Sequence, residues 1–99
     1  MKLKLNGWKK VETQNPKFKK WAKEKDMFRS GNPTIGEAFE KEGKYIAATD
    51  DGGYYKVGAI YTIWSDECVK ACWSDKSLFK TIQALFNNEV PPQDPDYTT

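Results

Sequence analysis

The order of patterned segments in this 99-residue chain predicts an α+β fold. The expected architecture is an antiparallel sheet, made of an N-terminal hairpin and a three-stranded meander. Two adjacent N-terminal helices and one C-terminal helix pack on it. Three observations carry this reading. Residues 44–64 alternate with the period of two that marks paired strands. Leu78, Phe79, Ile82, Leu85 and Phe86 recur at helical spacing behind a serine cap. Strands and helices follow one another without the βαβ alternation of a parallel sheet. The length suits one domain, residues 1–89, and the Pro/Asp-rich tail 90–99 reads as extended or disordered.

Met1 to Glu12 reads as a short hairpin, because Leu3 and Leu5 alternate with lysines and Trp8 and Val11 follow. Between them, Asn6-Gly7 is the dipeptide that type I′ turns favour, since both central residues need positive φ. Asn15-Pro16 opens a helix, with Asn as the cap and Pro in a first turn where its missing N–H has no partner. Phe18, Trp21, Ala22 and Phe28 fall on one stripe, and lysines fill the rest of the circumference. Gly31 is placed to end this helix in the left-handed conformation. Asn32-Pro33 repeats the opening for a second helix that carries Ile35, Ala38 and Phe39 inward and stops at Gly43.

Lys44 to Thr49 then reads as a strand, Asp50-Asp51-Gly52-Gly53 as a turn, and Tyr54 to Trp64 as the returning strand. Tyr61 and Ile63 share one of its faces. Ile60 and Trp64 make the other partly apolar, which suits cover by a helix. Gly58 in mid-strand points to a bulge or a close approach. Ser65-Asp66-Glu67 turns the chain into a third strand over Cys68 to Trp73, with a single helical turn as the competing assignment. Ser74 or Ser77 caps the last helix and Asn87-Asn88 ends it.

Hydrophobic residues make up 38% of the chain, and the four Trp, five Tyr and five Phe supply the bulk of a core. No apolar run approaches the ~20 residues of a membrane span, and the N-terminus lacks a signal-peptide apolar region. A cytoplasmic location is expected, in a cell or an infected host, without membrane attachment. Cys68 and Cys72 then read as reduced, buried small hydrophobes. On a strand they stand ~13 Å apart, too far to bridge, and one Cys-x3-Cys lacks the remaining ligands of a zinc site.

The chain contains no histidine. That removes the usual general base, the Ser–His and Cys–His nucleophile pairs and the commonest nitrogen ligand for metals. Asp50-Asp51 with Gly52-Gly53 reads as a tight turn rather than a cation site, and the dispersed glycines form no phosphate-binding loop. No catalytic residue, metal or cofactor is assigned. An enzyme is the third reading, and it requires Asp50, Asp51, Asp66 or Glu67 to converge with Tyr or Cys.

Charge carries the functional signal. Residues 1–30 hold ten of the 16 Lys and Arg and three of the 14 acids, a balance of +7 that the net charge of +2 conceals. Lys9, Lys10, Lys17, Lys19, Lys20 and Lys23 lie among aromatics and are the candidate partner-binding residues. Tyr54, beside the Gly-Gly turn, is added as an interface anchor. The expected function is that of a small non-enzymatic protein that occupies a surface of a macromolecular partner. By analogy this suits a phage or mobile-element accessory protein that modulates a host protein. A protein partner is favoured, because fourteen acids oppose a long phosphate track. Nucleic-acid binding through the basic region is the alternative and recovers if that region is spatially segregated. The oligomeric state is left open.

Overall fold

The computed structural model describes residues 3–28, 34–50 and 60–91. Its strands are β1 (Lys9–Lys10), β2 (Thr34–Lys41), β3 (Lys44–Asp50), β4 (Tyr61–Ser65) and β5 (Val69–Cys72). Helix α1 (Pro16–Glu24) lies between β1 and β2 in the chain, and α2 (Asp75–Phe86) follows β5. The strands form one antiparallel sheet whose spatial order, β1-β2-β3-β4-β5, is the chain order. The α+β class stands, with two helices among the described residues rather than three.

Alternation along the strands gives the sheet two apolar faces, each covered by one helix. Phe39, Ile46, Ala48, Ile63 and Cys72 pack with Leu78, Ile82, Leu85 and Phe86 of α2, and with Trp8. Ala38, Tyr45, Ala47 and Trp64 point the other way, onto Phe18, Trp21 and Ala22 of α1 and onto Met27. Rings fill both layers. Phe39 meets Phe86 edge-on at 5.0 Å, and Phe18, Trp21 and Tyr45 form a triangle with centroids 5.5–5.8 Å apart.

The expected second helix is a strand. Ile35, Ala38 and Phe39 have the i, i+3, i+4 spacing of a helical stripe, yet they belong to β2. A bulge explains the coincidence. Ile35 pairs with Thr49 and Glu37 with Ala48, so Gly36 is an extra residue that reverses the alternation. Ile35 and Ala38 therefore face α1, while Phe39 faces α2. Gly43, expected to stop a helix, instead closes the β2–β3 hairpin. Glu42 at φ 51° and Gly43 at φ 83° supply the two left-handed residues of a two-residue turn. Gly31 and Asn32-Pro33 lie outside the described residues.

The N-terminal hairpin is corrected in a similar way. The Asn6-Gly7 turn forms, with φ of 50° and 94° and the Trp8 N–H donating to the Leu5 carbonyl at 2.9 Å. Residues before it pair with α2 rather than with β1. The Lys4 N–H donates to Gln83 Oε1 at 2.8 Å, and Gln83 Nε2 donates back to the Lys4 carbonyl at 3.0 Å. β1 itself pairs with β2, Lys9 opposite Glu40 and Lys10 opposite Phe39. A hairpin this short has little stability alone, and one glutamine side chain meets both backbone needs of the segment.

The Asn15 cap forms as expected, its side chain accepting from the Lys17 and Phe18 N–H groups at 2.9 and 3.3 Å. The helix ends earlier than expected, at Glu24. Asp26 takes the left-handed conformation at φ 64°, its N–H donates to the Lys23 carbonyl, and the Met27 N–H donates to the Ala22 carbonyl. That is a Schellman ending with Asp where Gly is usual. It rotates Met27 into the core and leaves Phe28 38% exposed. Phe28 is therefore not part of the inward stripe.

The remaining elements follow the sequence closely. Residues 69–72 are strand, and Ser74 Oγ caps α2 by accepting from the Ser77 N–H at 3.1 Å. Asn88, at φ 61°, ends α2. β4 begins at Tyr61, and Ile60 donates its N–H to the Cys72 carbonyl at 2.8 Å. The Asp51–Gly53 part of the expected turn, Tyr54, Gly58 and tail residues 92–99 lie outside the described residues. Cys72 is buried and Cys68 half-buried, and neither is in a disulfide. Among the described residues no helix is long and apolar enough to cross a membrane.

Candidate functional site

Burial of Phe18, Trp21 and Ala22 fixes the rotation of α1, because all three must enter the core at once. The same rotation sends Lys17, Lys19, Lys20 and Lys23 to solvent. Within two turns these lysines are i, i+3 and i, i+4 neighbours, roughly 5–6 Å apart at Cβ, where like charges repel. The first turn of α1 contains no acid, so Lys17 and Lys19 also sit near the positive end of the helix dipole.

Three other lysines are matched with carboxylates. Lys10 pairs with Glu37 at 3.2 Å, Lys25 with Asp66 at 3.3 Å and Lys44 with Glu67 at 3.8 Å. Asp66 also accepts from Trp21 Nε1 at 2.8 Å, and Lys25 lies 5.9 Å from the Trp21 ring centre. The carboxylate of the β4–β5 turn is thus committed to holding α1 against the sheet. None of Lys17, Lys19, Lys20 or Lys23 has an ion-pair partner among the described residues.

Phe28 completes the surface. With Lys19, Lys20 and Lys23 it lines an open, shallow groove of about 470 Å³. The structure therefore brings four expected residues together on α1 and adds a ring the sequence reading had placed inside. The left-handed Asp26 was the available signal, since Asp tolerates that conformation, but a glycine five residues later looked the stronger stop. Lys9 and Lys10 stand apart on edge strand β1, exposed, with Lys10 engaged by Glu37. Tyr54 lies outside the described residues.

Two smaller grooves flank the C-terminal end of α2. One, of about 230 Å³, is lined by Glu67, Cys68, Leu85 and Val90; the other, of about 170 Å³, by Trp8, Lys41, Lys44 and Phe86. Of their lysines, Lys44 faces Glu67, and Lys41 Nζ donates to the Asn6 carbonyl at 2.8 Å. Of the carboxylates considered for catalysis, Asp51 lies outside the described residues and the other three are spread over the sheet. Asp50 ends β3 beside Tyr61, whereas Asp66 and Glu67 follow β4 at the opposite end. Among the described residues no three His, Cys, Asp or Glu come together as a metal-binding group. No family model matches the chain, and no curated protein or solved structure is significantly similar to it.

Proposed function

We propose that this chain is a small non-enzymatic binding protein that acts by occupying a polyanionic surface of a macromolecular partner, with α1 as the docking element. The observation that carries the reading is the set of four exposed α1 lysines without ion-pair partners among the described residues, while Lys10, Lys25 and Lys44 each face a carboxylate. Crowded like charges and lysines in the first helical turn both cost helix stability. A docking partner supplies the missing negative charge. Long-range attraction then steers association and makes it sensitive to salt.

The test is binding to poly-glutamate and to generic DNA and RNA across a salt series. Affinity for at least one polyanion is expected to fall steeply with salt. Lys17→Glu, Lys19→Glu, Lys20→Glu and Lys23→Glu made together are expected to lower it by a factor of ten or more with the circular dichroism spectrum retained. An unchanged affinity in a folded variant would remove α1 from the interface.

A further inference from the structure

We infer that the groove around Phe28 is a stacking site for one base of a single-stranded nucleic acid, with Lys19, Lys20 and Lys23 receiving the adjoining phosphates. This rests on the α1 lysine face being the docking surface and names the polymer that fits it. Three features point to this ligand. Phe28 is held in place by its neighbours: the Asp26 turn and the buried Met27 fix the backbone on its N-terminal side. Phe28 is nevertheless 38% exposed and lines the open groove, so it can be reached without unfolding anything. Among the described residues only lysines share the groove with it, so every described charged group that lines it is a cation.

An aromatic platform bordered by cations is the arrangement that binds single strands without reading sequence, since every base has a π-face and every nucleotide a phosphate. Paired bases in a duplex offer phosphates but no free face to the ring. An acidic polypeptide offers charge but nothing to stack. The fourteen acids of the chain argued against nucleic acid while their placement was unknown. Asp66, Glu67 and Glu37 face Lys25, Lys44 and Lys10, and none of them lines this groove.

The probe is a twelve-nucleotide oligo-dT, compared with the same strand in a duplex with oligo-dA and with poly-glutamate. Three phosphate contacts predict a log–log salt slope of about −2 for the single strand. Phe28→Ala is expected to weaken oligo-dT binding ~5–100-fold while leaving that slope unchanged. Lys20→Glu with Lys23→Glu is expected to flatten the slope. Phe28→Trp should retain affinity and Phe28→Leu should lose it, which separates stacking from plain apolar contact. Duplex or poly-glutamate binding as tight as oligo-dT, or full affinity in a folded Phe28→Ala, would overturn the inference while leaving α1 docking intact. Absence of binding to all three polymers at low salt would overturn both.

Discussion

Thr49 is a fully buried polar side chain in the middle of the sheet, and its position follows from what its hydroxyl satisfies. Oγ1 accepts from Trp64 Nε1 at 2.9 Å and lies 3.4 Å from the Thr62 carbonyl, to which it donates. Thr49→Val keeps the shape and removes the acceptor of a buried indole. It is expected to cost about 1–2 kcal/mol, read as a lower urea midpoint at constant slope. An unchanged midpoint would show that the bond contributes nothing net. At this scale the sequence was partly legible. Alternation placed Thr62 and Trp64 on one face of β4, but the partner of the indole comes from β3 and depends on pairing register. Phe28 was misplaced for a related reason: one left-handed residue redirects everything after it.

The caps and the first turn, which have local instructions, were read correctly, and β2, whose pattern depends on its neighbours, was not. The Asn15 and Ser74 caps and the Asn6-Gly7 turn each act within a few residues. β2 is different, because its burial pattern is the product of a bulge and two covered faces. A single-sequence period cannot separate that pattern from a helical stripe. For α1, the docking role and helix stability pull in opposite directions. Lys17→Glu with Lys19→Glu places acids at the N-terminal end of the dipole and removes like-charge neighbours. The double variant is therefore expected to be more stable, by roughly 0.5–1.5 kcal/mol, and to bind polyanions more weakly. Thermal denaturation and a salt-series titration on the same sample check both. A variant that lost stability and binding together would instead make the lysines part of the folding energetics.

Across the molecule, the sheet joins two apolar layers that share no side chain among the described residues. They are coupled because adjacent residues of β3 serve opposite layers: Tyr45 and Ala47 face α1, Ile46 and Ala48 face α2. Loss of either layer exposes one face of the same strands. Phe18→Ala in the α1 layer and Ile82→Ala in the α2 layer are each expected to cost about 3 kcal/mol. Each should still give one transition, with far-UV circular dichroism and tryptophan fluorescence coincident. Separate transitions would show that the layers fold independently.

The sequence alone determined the α+β class, the antiparallel meander after residue 44, the capped C-terminal helix and the basic N-terminal region, because periodicity, caps and charge counts are local properties. Tertiary structure decided that residues 34–41 are a strand between β1 and β3, and that the N-terminal segment joins Gln83. It also decided which lysines face carboxylates and which do not, and that Phe28 stands among the latter. Phe28 follows from the local turn at Asp26, whereas the others depend on contacts between residues distant in the chain. Strand pairing and charge matching are settled there, by the competition of whole elements for the same neighbours.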